Sequence, residues 1–441
     1  MSTKTGFYDP ITAELRTGRP DSALAMIEIA QTDNKYGEKD RLLYFMDAGM
    51  LNHYAGNWQA SNQKLQLADL AAEELFTKSI SKAALSIVLN DNALEYAGED
   101  YEVLYANLIS ALNYVAEDNS EDAFVEIRRA NLKLETLEQK YLDAARELER
   151  ISPDDTDRVE IDYDIAKVRF HNDAFGRYLS MHMYAAEGKF DDAEIDYSLL
   201  VDAFKAQPHV YDFGLPQVSY RAEEGTILSV VALAGLAPAK GSLSLRLRTD
   251  KDLDLVQVMY DSPGKKGVEY GHFFAPIGED YYFKFAIPQL VEQLSMITDV
   301  ELFVDGQSQG KLQLLEDVGR VSRETFAARK SMIYLRTAAR AIAKGLVAHK
   351  AKEKADTGGF GGWLKKAAID VATDLTENPD LRCCRYLPGR IFVADIEVPP
   401  GPHDIIVKYY AADGQVIQEV RYDQFQVLSD GLNLIQSNCQ K

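Results

Sequence analysis

Several residue groups in the chain are of types that can do chemistry, and their spacing can be tested directly. Gly306-Gln307-Ser308-Gln309-Gly310-Lys311-Leu312 places two glycines ahead of a lysine, as a phosphate-cradling loop does. Such a loop needs four residues between its glycines and a Ser or Thr after the lysine to hold magnesium. Here there are three, and Leu312 follows Lys311, so a hairpin turn is the better reading. Gly358-Gly359-Phe360-Gly361-Gly362 is also glycine-rich, but position 364 is Leu where a dinucleotide fingerprint requires its third glycine, and no strand precedes it.

Met181-His182-Met183 offers soft ligands, yet three consecutive residues of a helix point in three directions and cannot close on one metal ion. The carboxylate pairs Asp154-Asp155 and Asp191-Asp192 sit at expected helix starts, where negative charge favours the helix dipole. The seven histidines are scattered, and neither a His-Glu-x-x-His nor a Gly-x-Ser-x-Gly spacing occurs. The residues therefore suggest no catalytic group, no metal and no cofactor. Cys383, Cys384 and Cys439 are too few for a disulfide scaffold, and the adjacent pair lacks zinc spacing. One bridge to Cys439, for instance Cys384 to Cys439, and three free thiols both remain open.

Composition bounds the rest. A chain of 441 residues exceeds the size of one growing core and is expected to divide. Its apolar fraction of 46% and charged fraction of 27% are those of a globular protein, and no apolar run approaches the roughly 20 residues of a membrane span. A formal charge of -21 argues against nucleic acid as a partner of the whole surface.

The first half carries a recurring turn: Gly18-Arg19-Pro20-Asp21-Ser22-Ala23, Gly56-Asn57-Trp58-Gln59-Ala60-Ser61, Asp118-Asn119-Ser120-Glu121-Asp122-Ala123 and Gly188-Lys189-Phe190-Asp191-Asp192-Ala193. A turn residue lets the chain reverse between two helices, a ring or Pro fills the corner, and a small residue five positions on permits close approach. This is the logic of tetratricopeptide helix pairs. The intervals of 38, 62 and 70 residues are irregular, and the longer two have room for degenerate pairs. Helical periodicity flanks the third turn, with Leu104, Leu108, Ala111 and Leu112 before it and Phe124, Ile127, Ala130 and Leu134 after it. Tyr44, Tyr54, Trp58, Tyr101, Tyr105 and Tyr114 are candidate rings for a partner groove or for the core, with Tyr54, Trp58, Tyr105 and Tyr114 the partner-binding candidates.

Beyond Gln207-Pro208 the pattern turns to strands. Ser242 to Arg248 alternates, Glu301 to Leu314 reads as a hairpin around Asp305-Gly306, and Ile391 to Tyr422 reads as a meander with Pro399-Pro400-Gly401 as one of its turns. The expected fold is thus α+β and multidomain: a tetratricopeptide-like all-α array over 1–212, then a β-sandwich-like domain over 213–441 with a basic helical insert near 320–376. Residues 320–366 hold twelve Lys or Arg against three acidic residues, a local charge of +9. Arg336, Arg340 and Lys344 lie off an apolar stripe of Met332, Leu335, Ala339, Ile342 and Leu346, and Phe360, Trp363, Lys365 and Lys366 follow in a glycine-rich tip. Such a segment fits a solvated helix, a partner-binding helix or a contact with an anionic membrane. Tyr281, Tyr282, Phe273 and Phe274 are candidate sugar-stacking rings for an alternative role in carbohydrate or peptidoglycan binding.

Leu89-Asn90-Asp91-Asn92-Ala93-Leu94-Glu95-Tyr96, Glu99-Asp100-Tyr101-Glu102, Ala111-Leu112-Asn113-Tyr114, Ala123 to Ala130, Gly235 to Lys240, and the region from Leu387-Pro388 to Pro399-Pro400-Gly401 carry a resemblance. In these the chain resembles an uncharacterised family of bacterial cell-envelope lipoproteins with tetratricopeptide-like helices. It departs from that pattern at Arg382-Cys383-Cys384-Arg385-Tyr386, where the family tends to have Asp-Thr-Arg-Ser-Trp. The resemblance implies a non-enzymatic scaffold or adaptor, exported to the periplasm and lipid-anchored to the outer membrane, with protein partners in an envelope or secretion-related assembly. Ser2 to Tyr8 would then begin a mature lipoprotein whose lipidated Cys and leader are replaced by Met; a native start at Met1 would instead mean a cytoplasmic protein.

Overall fold

A computed structural model of the chain describes residues 5–86, 94–151, 172–250, 252–253, 255–261, 268–274, 282–327 and 379–441. The chain is an α+β protein with helices first and sheets second. Among the described residues eight α-helices lead: α1 (Asp9–Arg16), α2 (Pro20–Thr32), α3 (Arg41–Tyr54), α4 (Trp58–Ser86), α5 (Asp100–Ala116), α6 (Ser120–Ile151), α7 (Ala174–Ala186) and α8 (Phe190–Ala206). Each packs against the next along the series.

The four turn residues explain the pairing. Gly18, Gly56, Asp118 and Gly188 have φ of 78°, 76°, 55° and 73°, the left-handed region that ends a helix and reverses the chain. The same two bonds recur at each turn, such as Gly188 N to Ala185 O at 2.9 Å and Lys189 N to Tyr184 O at 2.9 Å. Five residues on, Ala23, Ser61, Ala123 and Ala193 are fully buried against the preceding helix. The first long interval needs no hidden pair, because α4 alone runs 29 residues. The second holds the 32 residues of α6, and the helix start expected at Asp154-Asp155 lies outside the described residues.

The strands are β1 (Thr226–Leu236), β2 (Ala239–Asp250), β3 (Leu255–Asp261), β4 (Val268–Phe274), β5 (Tyr282–Val291), β6 (Ile297–Val304), β7 (Gln307–Lys311), β8 (Gln313–Asp317), β9 (Pro388–Val398), β10 (Gly401–Ala411), β11 (Val416–Val427) and β12 (Leu434–Cys439). They form three sheets, ordered β12-β1-β9-β8, β11-β10-β6-β7 and β4-β3-β2-β5. A helix over residues 318–327 follows β8.

β1 is the central element. Leu228, Val230, Ala232 and Ala234 join Phe392, Ile435 and Cys439 in a core shared with Val300, Leu302, Ile405, Val407 and Tyr409 of the second sheet. Val231 and Leu233, on the alternate face, join Ile391, Val393 and Leu315 in a core continuous with that of the helices. The sheet is buried on both faces, so Val230–Leu236 of β1 has no polar residue and does not alternate. Each such Leu or Val contributes about 1.5–3 kcal/mol on full burial. The layers run from outer helices α2, α4, α6 and α8, through α3, α5 and α7, to the first sheet and then the second. α3, α5 and α7 are buried along most of their length.

Two expectations about the strands change. The 301–314 hairpin forms as β6 and β7 around Asp305-Gly306, but Leu314 belongs to β8, which crosses to pair with β9 in the other sheet. The 391–422 stretch is no simple meander. β9 pairs with β1 whereas β10 pairs with β6 and β11, so Pro399-Pro400 is a corner between sheets.

Candidate functional site

The densest concentration of chemically capable side chains lies where helices and sandwich meet, around residues 380–386. Arg382 is at its centre, its side chain 1% exposed. It holds Asp380 with two bonds, Nε to Oδ1 at 2.9 Å and Nη2 to Oδ2 at 2.8 Å, and Asp40 Oδ1 through Nη1 at 3.0 Å. The same Nη1 reaches the Leu94 carbonyl at 3.0 Å, and the guanidinium lies over the Tyr96 ring. Burial opposes its charge, but the Asp380 and Asp40 carboxylates raise its pKa above the usual arginine value.

Beside it Lys240, at the start of β2, is paired to Glu99 with both side chains almost fully buried. Glu99 and Glu102 open α5 as a capping box, in which Glu102 Oε2 accepts from the Glu99 amide at 2.9 Å. Glu102 does more than cap. Its Oε2 also accepts from Tyr96 at 2.6 Å, and its Oε1 accepts from the Cys384 amide at 2.7 Å, joining the helix start to the 380–386 segment. Burial and the neighbouring Glu99 charge push Glu102 up to about 7. Asp47, bonded by Tyr36 at 2.8 Å, is pushed up to about 8 by burial.

Two more buried clusters tie α7 and its surroundings to the sheets. Asp173 caps α7, accepting from Gly176 N at 2.6 Å and from Tyr105 OH at 3.2 Å, and Glu316 of β8 accepts from Tyr211 OH at 2.9 Å. Burial raises both carboxyls, Asp173 to about 6 and Glu316 well above the carboxylate range, with the Asp173 charge adding to the latter. Nearby, His182 lies between Asp395, 3.2 Å from Nε2, and Ser229, whose Oγ is 3.2 Å from Nδ1 and 3.3 Å from Nε2. The residue types are those of a hydrolase triad, but a relay needs serine and carboxylate on opposite ring nitrogens. Here the hydroxyl stands between both nitrogens and all three side chains are buried, so the group joins α7 to β1 and β9.

The sequence-derived site residues separate. Tyr54 and Tyr105 are corrected from partner rings to core: each is buried, Tyr54 OH donating to the Tyr386 carbonyl at 2.7 Å and Tyr105 to Asp173. Their helices face the sheet, which occupies the groove a partner would have used. Trp58 is half-buried, edge-on to His53, and Tyr114 is half-buried, accepting from Gln66 at 2.6 Å. Of the two readings left open for the cysteines, free thiols are found and the bridge is not: Cys384 and Cys439 are buried in the two cores on opposite faces of the first sheet. Arg336, Arg340, Lys344, Phe360, Trp363, Lys365 and Lys366 lie outside the described residues, as does Tyr281. Phe273 and Phe274 lie in β4 and Tyr282 in β5, with side chains outside the described set.

Sequence reasoning missed Arg382, Lys240, Glu99, Glu102 and Asp40. The one local signal was Glu99-x-x-Glu102 at a helix start; nothing in the spacing of 40, 99, 240 and 382 says that they meet. Among the described residues no group of three or more His, Cys, Asp or Glu is arranged to hold a metal ion, and no helix is long and apolar enough to cross a membrane. No family model, curated protein or solved structure matches the chain.

Proposed function

We propose that the protein is a non-enzymatic scaffold or adaptor in a bacterial cell-envelope assembly, holding protein partners on the outer side of its helical array. One observation carries this reading. With α3, α5 and α7 turned to the sheet, the large apolar side chains that these eight helices expose among the described residues lie on outer helices: Ile29 of α2, Leu67 and Leu70 of α4, Val125 and Leu132 of α6, Phe190 and Ile195 of α8. The charged groups most capable of chemistry are meanwhile committed to the buried seam, which supports a rigid platform over a reaction centre. Exposed apolar side chains rimmed by charge are the usual currency of protein contacts.

The test is affinity purification of the tagged protein from envelope extracts, beside Leu70→Asp and Leu132→Asp variants. Surface substitutions of this kind change stability by about 0.5 kcal/mol or less, so both variants should fold. The expected result is a stable envelope protein that the wild type retains and the variants lose. Recovery of no such protein, or equal recovery by all three, would overturn the proposal.

A further inference from the structure

Among the described residues the sandwich has four sheet edges, and three are closed in ways that discourage pairing. β12 is covered: Tyr422 OH donates to the Gln436 carbonyl, Gln418 Nε2 to the Asn438 carbonyl at 2.8 Å, and Gln436 Nε2 reaches the Leu112 carbonyl of α5 at 3.0 Å. β7 and β8 are five residues each, β7 polar and exposed throughout, β8 interrupted by a register shift. Short, polar or irregular edges are how sheets avoid adding strands. β11 differs. It is 12 residues long, and β10 is its only strand neighbour among the described residues.

Register shifts bound the regular part of β11 to Gln418–Tyr422, paired to Tyr409–Ile405 of β10. Val420 is the centre of that stretch and packs inward with Tyr422. Glu419 and Arg421 therefore lie on the outer face, since side chains alternate. Across that face the registers form one row: Lys311 of β7 opposite Glu301 of β6, Glu301 opposite Lys408 of β10, Lys408 opposite Glu419 of β11. Lys408 Nζ lies 3.4 Å from Glu419 Oε2. The charges alternate along the row and stop at a carboxylate on β11, the last strand of this sheet among the described residues. Arg421 contacts Glu419 along the strand, is 60% exposed, and has uncharged Ile406 as its neighbour on β10.

We propose that β11 pairs antiparallel with β11 of a second copy of this chain, about a twofold axis through Val420. In that register Glu419 stands opposite Arg421 of the second copy, and Arg421 opposite its Glu419, so the alternation of charge continues across the joint twice. Opposite charges directly across an antiparallel pair are favourable and like charges are not. Self-complementarity of one patch is what a twofold dimer requires. A joint of five regular residues is small, so the dimer is weak and depends on concentration.

Sedimentation equilibrium tests it at about 0.15 M salt, where the Debye length is about 8 Å and the repulsion between two acidic copies is largely screened. Concentrations from about 5 to about 500 µM span the range in which a small interface dissociates. The wild type is expected to pass from monomer to dimer. Glu419→Arg and Arg421→Glu, each putting like charges opposite one another, should remain monomeric, while an equimolar mixture of the two should regain the dimer. Val420→Cys, oxidised with copper phenanthroline, should give a crosslinked dimer, because directly opposed Cβ atoms lie about 4.5–5.5 Å apart; the wild type is the control, since its own cysteines are buried. Circular dichroism confirms that each variant is folded. A wild type monomeric throughout, a dimer indifferent to either reversal, a mixture that stays monomeric, or a Val420→Cys protein that does not crosslink would each overturn the proposal.

Discussion

Arg382→Met is the most informative single perturbation of the helix–sandwich seam. Methionine keeps much of the aliphatic volume and removes the charge. The Asp40 carboxylate, 3% exposed, loses a bond of 3.0 Å, the Asp380 carboxylate loses two, and the Leu94 carbonyl loses one. A buried carboxylate left without its cation costs about 3–5 kcal/mol, a large part of the roughly 5–15 kcal/mol by which proteins are stable. The assay is urea unfolding followed by far-ultraviolet circular dichroism, with Asp40→Asn and the Arg382→Met/Asp40→Asn double variant completing a cycle. Removing both members relieves part of the penalty, so the double variant should be more stable than the sum of the single losses by about 1–3 kcal/mol. An Arg382→Met loss below about 1 kcal/mol, the range of exposed pairs, or strict additivity in the cycle would refute the view that this arginine joins the two halves through buried charge.

Asp47→Asn tests the buried carboxyls. Because the folded pKa of Asp47 is raised to about 8, the folded chain holds a proton that the unfolded chain releases near pH 4. Stability should therefore fall as pH rises between those values, by up to about 1.4 kcal/mol per unit for one proton, and Asp47→Asn should flatten that slope; an unchanged slope would contradict the assignment. His403 has the same sign: its bonds to Asp305 at 2.7 Å and to the Pro399 carbonyl raise its pKa, so its contribution is present below the unfolded histidine value and disappears as pH rises through the folded one. Nuclear magnetic resonance titration should show His403 titrating above free histidine and returning toward it in Asp305→Asn. Gly188→Ala, at φ 73° with open space around it, should cost about 1–2 kcal/mol through backbone strain alone, whereas Gly214→Ala, also in open space but without the positive φ, should be neutral within error in thermal unfolding.

Local physics made some of the molecule readable in advance. A turn between two helices is decided by a few consecutive residues, so Gly18, Gly56, Asp118 and Gly188, with the small residue five positions on, carried the helix pairs by themselves. The Asp305-Gly306 hairpin was equally local, both residues taking positive φ between β6 and β7. β1 escaped because its two buried faces erase the alternation that marks a half-exposed strand. Which sheet β8, β9 and β10 would join was also open, since strand pairing depends on partners as distant as β1 and β6.

The seam and the fate of the rings were decided by tertiary structure alone. Asp40, Glu99, Lys240 and Arg382 are separated by up to hundreds of residues, and each alone reads as an ordinary surface charge. Charged side chains tolerate burial only when opposite partners arrive together, and that arrival is a property of how α5, β2 and the 380–386 segment pack. For the same reason Tyr54 and Tyr105 could be seen as aromatic residues of a helical array, but whether they met a partner or the protein's own sheet depended on what the second half of the chain laid against them.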